Sequence, residues 1–376
     1  MARDNLLMFA DSERDADMLY AVGMFVPDPF IFLRTDDRNN IFLNDLEVDR
    51  ASRVAPHCRV FRLSTYIRKL QKAGVQSPSP AQMIHRILVE LGLKKATVPF
   101  NFPIGLANEL RDLKIKLRVC KGPCFADREI KNAEQVKKIS ATLIMAEVGL
   151  AEGIQALKRA KIGKGGRLIH QHIPLTSEKL RSIIDTAIVQ AGGRACNTIV
   201  ASGKQASDPH ERGHGPLRAN QPIILDVFPR SQKTGYFGDI TRTVVRGQAS
   251  DNVRKIYSDV VRAQELVFAQ LRHGRSGLAI HKSVEQFFKK EGYKTGNREG
   301  RKVGFIHGTG HGLGLEIHEA PRISATSTDF LRSGHVVTVE PGLYYPRIGG
   351  IRIEDVALVT AKSPRNLTKF EKVLEL

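Results

Sequence analysis

Three histidines stand within twelve residues in the segment HGTGHGLGLEIHEAP, which covers 307–321. His307 and His311 are four residues apart, as in the helical zinc motif HExxH, but Gly308 occupies the position of the glutamate. The glycines that recur at every second position from 308 to 314 also make a poor helix. Their spacing matches neither the dinucleotide-binding fingerprint nor the phosphate-binding loop. We therefore expect a loop or strand in which the glycines leave room around His311 for another backbone or a ligand.

Four acidic residues lie inside or beside apolar, strand-like runs of the same part of the chain. Burying a carboxylate in a strand is costly unless something compensates its charge. Together with the histidines they form a donor set that is rich in oxygen and lacks cysteine, which suits manganese, cobalt or zinc. Four carboxylates carry enough charge for two divalent ions, and such pairs, ~3.5–4 Å apart, serve hydrolases. The four residues are Asp226, Asp239, Glu340 and Glu354.

The elements that must position these residues fall into two parts. From residue 5 to 125, short apolar runs such as FIFL alternate with helical patterns such as AQMIHRILVELG, which is typical of an α/β domain. Gly122 and Pro123 break this pattern, and charged residues follow them. We predict a smaller N-terminal domain over 1–127 and a second domain over 128–376.

The second domain is predicted to open with a long amphipathic helix. Asn132 and Gln135 form a potential capping box, and apolar residues then recur at gaps of three and four as far as Leu157. A second helical pattern, SEKLRSIIDTAIVQAGG, should end at Gly192 and Gly193 in a left-handed residue. Further helical patterns lie around 252–271 and 277–291, and the strand-like runs are ACNTIV, IILDVF, TRTVV, VVTVE and IRIEDVALV.

The composition is strongly basic, with a net charge of +19 and a pI near 9.9. Part of the excess is concentrated in 158–167, which could attract nucleic acid or another anionic surface, but such a basic stretch is most often a solvated face. The chain has no zinc-finger spacing, no aromatic-rich RNA-binding motif and no tryptophan. Nucleic-acid binding is therefore kept as the minority interpretation.

Cysteine content and hydropathy favour a cytoplasmic protein. Four cysteines are too few for a disulfide scaffold of this size and fit a reducing compartment. No run approaches the ~20 apolar residues that a membrane span needs. The N-terminal residues lack the basic-then-apolar order of a secretory signal. We therefore expect neither a membrane span nor a membrane partner.

Four segments, taken in order, resemble the pita-bread metallopeptidases of family M24, which include aminopeptidase P, prolidase, methionine aminopeptidase and creatinase. The segments are ILDVF…GYFGDITRT, HGTGHGLGLEIHEAP, TVEPGLYY and GGIRIEDVALVT. The N-terminal stretch LLMFADSERDADMLYAVGMFVPDPFIFL is similar to the creatinase-type N-terminal domain of the same family. The resemblance implies an α/β (α+β) chain in which a smaller creatinase-like domain precedes a pita-bread catalytic domain.

The resemblance also implies a ligand set for two divalent metal ions, most typically Mn²⁺, with Co²⁺ or Zn²⁺ as alternatives. Asp226 would bind one ion, and Asp239 would bridge the two. His311 would supply the imidazole ligand, and Glu354 would be the second bridge. Glu340 would bind the same ion as His311 and would also take the proton of the attacking water.

Other positions match the family's substrate-contacting residues. His318 corresponds to the proton-shuttling histidine, and His210 to an upstream histidine that contacts substrate, with His214 as a weaker candidate. His307 would line the pocket, and Arg352 corresponds to an arginine that steers substrate in the proline-specific branch.

One segment departs from the family pattern. Phe228 stands where the family commonly has glycine after its first aspartate, and PRSQKT lengthens the loop that follows. The enlarged loop over 227–238 would bring Phe228, Arg230 and Lys233 near the substrate cleft. The shape of the cleft is therefore not given by the resemblance.

The expected activity is that of an Xaa-Pro aminopeptidase, a metallo-exopeptidase that hydrolyses the bond before a proline in the second position. The closest alternative is an Xaa-Pro dipeptidase (prolidase), whose substrate ends at the proline. A more distant alternative is a non-enzymatic protein on the same fold that binds nucleic acid or an acidic partner. The resemblance further implies a homodimer.

Overall fold

The computed structural model describes residues 5–36, 38–298 and 300–376. The chain divides into two compact units, Met1–Arg128 and Glu129–Leu376. This division falls one residue beyond the predicted boundary. Both units combine helices and strands, which confirms the predicted α/β class.

The first unit contains a mixed sheet with helices on both faces. Its strands are β1 (Leu6–Ala10), β2 (Phe30–Thr35), β3 (Arg38–Leu43), β4 (Cys58–Arg62), β5 (Lys95–Val98) and β6 (Lys116–Val119), and its helices are α1 (Ala16–Val22), α2 (Asp45–Val54), α3 (Leu63–Lys72), α4 (Pro80–Glu90) and α5 (Ile104–Asp112). The strand order is β4-β3-β2-β1-β5-β6. Phe32 packs with α1 and α2, whereas Ile31 and Leu33 pack with α4 and α5. Burial of both faces explains the continuous apolar run FIFL.

The second unit contains four longer helices and several short sheets within its described residues. The helices are α6 (Ala133–Arg159), α7 (Ser177–Gln190), α8 (Asp251–Phe268) and α9 (Gly277–Lys290). The strands are β7 (Lys161–Ile162), β8 (Leu168–His170), β9 (Ile173–Pro174), β10 (Gly193–Arg194), β11 (Ile199–Ser202), β12 (Pro222–Val227), β13 (Arg230–Ser231), β14 (Ile240–Val245), β15 (Gly296–Arg298), β16 (Arg301–Val303), β17 (Gly310–Gly312), β18 (Glu319–Ile323), β19 (Val336–Val339), β20 (Gly342–Tyr345), β21 (Gly349–Arg352), β22 (Asp355–Leu358) and β23 (Arg365–Asn366).

The helix predictions for this unit are confirmed. The capping box between Asn132 and Gln135 is formed at the start of α6. Helix α7 ends before Gly192, whose φ of 87° lies in the left-handed region. Helix α6 is also long and apolar enough to cross a membrane by length and composition alone, with 44% of the relevant window buried. The core helix of a globular unit passes the same test, and Leu150 of α6 packs against α7 and β12.

Two sheets of the second unit carry the residues of interest. Strands β11, β12 and β14 form an antiparallel sheet that packs on α6 and α7. Strands β18, β17, β19, β22 and β23 form a second sheet that packs on α8 and α9. An antiparallel bridge between Thr241 and Glu354 connects the two sheets. Predicted ligands from both sheets are therefore brought to one place.

Candidate metal centre

The five predicted metal ligands line one cavity of about 450 Å³. Asp226 lies near the end of β12, and Asp239 directly precedes β14, so both stand at the loop end of the same hairpin. His311 is the central residue of β17, Glu340 directly follows β19, and Glu354 lies between β21 and β22. The ends and edges of five strands thus converge on one wall.

Three of these side chains are close enough to share one ion. One potential ligand atom from each of Asp239, His311 and Glu354 lies within 4.8 Å of the others. His311 Nε2 is also 3.2 Å from Glu340 Oε1 and 3.9 Å from Asp239 Oδ2. This spacing fits a cation bound among oxygen and nitrogen donors.

The alternating glycines allow β17 to fit between its two neighbouring strands. A Cβ atom on Gly310 would lie 2.0 Å from the carbonyl oxygen of Thr338 on β19. A Cβ atom on Gly312 would lie 2.1 Å from the carbonyl oxygen of Ala320 on β18. Any larger residue would push the strands apart and displace His311. The prediction that these glycines permit close backbone approach is confirmed.

The backbone also orients the His311 imidazole. Its Nδ1 lies 3.2 Å from the carbonyl oxygen of Gly312, which can only accept a hydrogen bond. Nδ1 therefore carries a proton, and Nε2, which lies beside the carboxylates, is the nitrogen that would bind a metal ion in place of a second proton. This is the arrangement that commonly fixes the tautomer of a metal-binding histidine.

Burial and mutual repulsion raise the pKa values of three buried carboxylates of the site. Burial, followed by the negative charges of Glu354 and Asp226, raises the pKa of Asp239 well above its ordinary value. Burial and the charges of Glu340 and Asp226 do the same to the pKa of Glu354. Burial also raises the pKa of Asp226, although the Arg352 guanidinium opposes this effect. Divalent cations would relieve this repulsion.

Glu340 differs from the other acids. Burial acts to raise its pKa, but the hydrogen bond and charge of His311 in its protonated form, together with the Arg352 guanidinium, lower the pKa to about 2. Asp226 shows a complementary feature, because its Oδ1 atom is buried without a hydrogen-bond partner among the described residues. A buried oxygen without a hydrogen-bond partner, on a residue that lines the same cavity as the other acids, is a further observation that fits a bound cation.

Arg352 lies inside the site as part of a hydrogen-bonded chain. Its Nη2 donates to Asp226 Oδ2 at 2.6 Å, and its Nη1 donates to the Tyr344 hydroxyl at 2.8 Å. His307 Nδ1 donates to the Gly308 carbonyl, so its Nε2 accepts the Tyr344 proton at 2.8 Å. Arg352 is only 4% exposed, so direct substrate contact would require one of these bonds to break. Its predicted role in steering substrate stays a prediction.

The remaining predicted histidines occupy different positions. His318 lines the cavity, and its ring packs edge-on to His311 with centroids 4.4 Å apart. Burial, together with the charge of His311, lowers the pKa of His318 to about 4, so the imidazole is neutral at pH 7. His210 lines the cavity and is exposed, whereas His214 is not among its lining residues and lies 3.5 Å from Glu211.

Of the three residues expected near the cleft in the enlarged loop, Phe228 lines the cavity. The other two are not among its lining residues: Arg230 belongs to β13 and its side chain lies over the Phe237 ring, and Lys233 is exposed. The loop thus contributes an apolar wall to the cavity.

Sequence reasoning missed the residues that support the ligands. Tyr344 and Thr241 belong to the motifs TVEPGLYY and GDITRT, and the sequence pattern gives neither of them a functional role. The pattern predicts a strand for Thr338 and no role for Arg322, which lines the cavity. Each is a polar residue on or beside a strand that carries a predicted ligand, and that placement was the available signal.

A buried group of carboxylates and imidazole in a cavity is typical of hydrolases that use divalent metal ions. Residues 137–361 match the sequence pattern of metallopeptidase family M24. This match covers more than half of the chain, so the protein belongs to metallopeptidase family M24. The family depends on a dinuclear metal centre.

Similar proteins include peptidases of more than one description. A Bacillus subtilis (strain 168) protein described as uncharacterized peptidase YqhT is 33% identical over 254 residues, 62% of this chain and 69% of that protein. An Xaa-Pro dipeptidase from Pyrococcus furiosus is 36% identical over 181 residues, 48% of this chain and about half (49%) of that enzyme. The crystal structure of an X-Pro aminopeptidase from Thermotoga maritima MSB8 has a TM-score of 0.83 at 22% identity, covering 99% of this chain and 97% of that one. The predicted fold is confirmed along essentially the whole chain.

Proposed function

We propose that the protein is an Xaa-Pro aminopeptidase, which releases the first residue of a peptide when the second is proline. The observation that carries the proposal is the convergence of the five ligand candidates on one cavity wall, beside His318 and His210. The proline preference is supported by the described activities of the Pyrococcus furiosus and Thermotoga maritima proteins.

The shape of the cavity favours a substrate that extends past the proline. A second cavity, also about 450 Å³, shares four lining residues with the first. A longer peptide held at the first cavity would have the neighbouring second cavity for its extra residues, whereas a dipeptide would leave that cavity unused. The shared residues are His307, Gly308, Ser324 and Thr326.

A specific residue favours Xaa-Pro dipeptidase as the second candidate. Arg322 lines the first cavity, and its guanidinium has no ion-pair partner in the part of the chain that the structure describes. An unpaired guanidinium suits the C-terminal carboxylate of a dipeptide, which lies one residue beyond the scissile bond. The two candidates therefore differ in whether Arg322 binds a substrate carboxylate.

Asp226, Asp239, His311, Glu340 and Glu354 are the residues that would hold two divalent ions, for which we propose Mn²⁺. When bound, such ions polarise a carbonyl and lower the pKa of a water molecule. Because the pKa of Glu340 is lowered to about 2, its carboxylate is ionised at neutral pH and can accept the proton of the attacking water.

The histidines would act on the leaving side of the reaction. The proline nitrogen has no hydrogen in the peptide bond, so it must gain a proton before it departs. His318, a neutral imidazole with one N–H, can donate to the developing oxyanion or pass a proton toward this nitrogen. His210, at the exposed rim of the cavity, is placed to contact the substrate backbone. Arg352 would hold Asp226 in position through its hydrogen bond.

The test compares two substrates. The manganese-loaded protein is incubated with an Xaa-Pro dipeptide and with a longer Xaa-Pro-Xaa peptide, and products are identified by mass spectrometry. We expect release of the first residue from the longer peptide, and none from a matched Xaa-Ala-Xaa peptide. Cleavage of the dipeptide alone would select the dipeptidase. Cleavage of neither by fully loaded protein would overturn both candidates.

Two variants test the assigned roles. Asp239→Asn should lose turnover together with bound metal, because a bridging ligand is removed. His318→Ala should keep its metal but lose about 10²–10⁴-fold in rate, the typical contribution of a positioned acid or base. A fully active His318→Ala protein would refute the proton-transfer role.

Metal content separates the enzyme from the alternative of a binding protein for nucleic acid or an acidic partner. Fewer than one divalent ion per chain after manganese loading would argue against the peptidase. Nucleic-acid binding that did not weaken with added salt would argue against an electrostatic role for the basic charge. A cytoplasmic location and a homodimer remain predictions from the sequence.

A further inference from the structure

Two buried threonine hydroxyls contact the two glutamates of the proposed metal centre. Thr241 Oγ1, on β14, donates to Glu354 Oε2 at 2.7 Å. Thr338 Oγ1, on β19, donates to Glu340 Oε1 at 3.2 Å. Both threonines are fully buried, and they lie on different sheets. Each glutamate therefore has its own hydroxyl partner on a separate strand.

The direction of each hydrogen bond is fixed by a third group. Thr241 Oγ1 lies 3.2 Å from Arg352 Nε, which can only donate. Thr338 Oγ1 lies 3.0 Å from the backbone N–H of His311, which also can only donate. Each hydroxyl oxygen accepts from these donors, so its own hydrogen is left to point at the glutamate.

The threonine contact involves one oxygen of each carboxylate and not the other. Glu354 Oε2 accepts from Thr241, and Glu340 Oε1 accepts from Thr338. A carboxylate held at one oxygen loses rotational freedom before any ion arrives, so less entropy is lost on binding. Groups that orient metal ligands in this way typically contribute 10–100-fold to metal affinity.

We propose that Thr241 and Thr338 are positioning residues that pre-orient Glu354 and Glu340 for divalent metal ions. This inference rests on the proposed ligand set. Each threonine hydroxyl is oriented by a different donor, which is the Arg352 side chain for Thr241 and the His311 backbone N–H for Thr338. The centre is thus organised by hydroxyl groups outside the ligand set.

Thr243 provides a matched control on the same strand as Thr241. It is equally buried, and its hydroxyl accepts from the Arg352 backbone N–H at 3.0 Å and donates to the Arg352 carbonyl at 2.9 Å. The same bonding pattern therefore ends on a backbone carbonyl instead of a carboxylate. Replacing Thr243 by valine removes a buried hydroxyl without touching a proposed ligand.

The experiment measures Mn²⁺ affinity by isothermal titration calorimetry on the full chain, with unfolding in chelator measured alongside. Thr241→Val and Thr338→Val should each weaken Mn²⁺ binding about 10–100-fold. Thr243→Val should bind Mn²⁺ like the wild type. Thr241→Ser, which retains the hydroxyl, should restore most of the lost affinity.

The outcomes are distinguishable. If wild-type protein binds no Mn²⁺, the proposed function fails before the threonines are tested. If wild type binds Mn²⁺ and both valine variants bind it equally well, the positioning role is wrong. A loss of stability in chelator without a loss of affinity would also reduce both threonines to a structural role. Should Thr241→Val not fold, Thr338→Val on the other sheet and Thr241→Ser decide the matter.

Discussion

Glu354 and Asp355 are adjacent in the chain, but within the described residues only one of them is paired with positive charges. Glu354 and Asp355 are 2% and 1% exposed, so both are fully buried. Asp355 forms ion pairs with Arg242 at 2.8 Å and with Lys372 at 2.9 Å. Glu354 accepts a hydrogen bond from Thr241 and has no ion pair among the described residues. Equal burial is thus combined with very unequal compensation of charge.

The difference separates a structural carboxylate from one that needs a ligand. The positive charges beside Asp355 belong to the chain itself, so its carboxylate is neutralised without a bound ligand. Burial and other negative charges raise the pKa of Glu354, which means that its charged form is penalised until a cation arrives from outside. Burial without a built-in counter-charge is therefore a marker of the functional acid.

The largest predicted effect comes from removing the counter-charge of Asp355. Arg242 is 1% exposed and also donates to the carbonyl oxygens of Glu354 and Phe370. Arg242→Ala would leave the buried Asp355 carboxylate with the partly exposed Lys372 as its remaining ion-pair partner. Removing one partner of a buried pair typically costs about 3–5 kcal/mol. We expect a loss of this size in the free energy of unfolding, measured by denaturant titration in chelator.

Arg262→Ala is the control for this variant. Arg262 also pairs with acidic residues, at 2.8 Å to Asp259 and 3.1 Å to Glu291, but its side chain is 50% exposed. Exposed pairs contribute about 0–1 kcal/mol. Similar losses for the two variants would show that burial does not set the importance of the Arg242 pair.

The second prediction concerns the replacement of Glu354 and of Asp355, each in a separate variant, by the matching amide residue. Mn²⁺ at about 100 times its Kd should stabilise the wild type by about 2.7 kcal/mol. Glu354→Gln should be at least as stable as wild type in chelator, because one of several repelling charges is gone, but should lose this stabilisation by metal. Asp355→Asn should be less stable both with and without Mn²⁺. Thermal unfolding with and without Mn²⁺ measures all three, and metal stabilisation of Glu354→Gln equal to that of wild type would refute the contrast.

The third prediction concerns pH. The folded-state pKa of Glu354 lies well above its ordinary value of 4.5, so in chelator the wild type loses stability as pH rises from that value toward the raised one. Glutamine does not titrate, so the stability of Glu354→Gln relative to wild type should increase with pH over this range. Each unit of pKa difference corresponds to about 1.4 kcal/mol. The test measures the free energy of unfolding of both proteins in chelator at pH 5 and pH 8. If the value for Glu354→Gln minus that for the wild type were smaller at pH 8 than at pH 5, the prediction would be contradicted.

The sequence predicted the helices and strands well because they depend on local patterns. The capping box of α6 and the glycines around His311 are short-range signals, and each is present in the structure as expected. The order of the four motifs then predicted which acids belong to one site. The convergence of those acids on one cavity agrees with that prediction, while their role as ligands stays a proposal.

What the sequence did not reveal are contacts between residues far apart in the chain. Arg242 and Asp355 meet across 113 positions, and Thr241 reaches Glu354 across the same separation. The string IRIEDV contains Glu354 and Asp355 side by side with nothing local to distinguish their environments. Only the bridge between the two sheets shows which acid faces the ligand cluster and which faces Arg242.

The smallest predicted effect concerns the second partner of Asp355. The side chain of Lys372 is 28% exposed, and its ion pair is therefore partly screened by solvent. Lys372→Ala should lower the free energy of unfolding by no more than about 1 kcal/mol, because Arg242 still neutralises the buried carboxylate. The loss should shrink further at 1 M salt, whereas the loss in Arg242→Ala should persist. Denaturant titrations of both variants at low and high salt measure these losses. If salt reduced the loss in free energy of unfolding equally in the two variants, the Arg242–Asp355 pair would be screened by solvent like the Lys372 pair, and the contrast between them would be wrong.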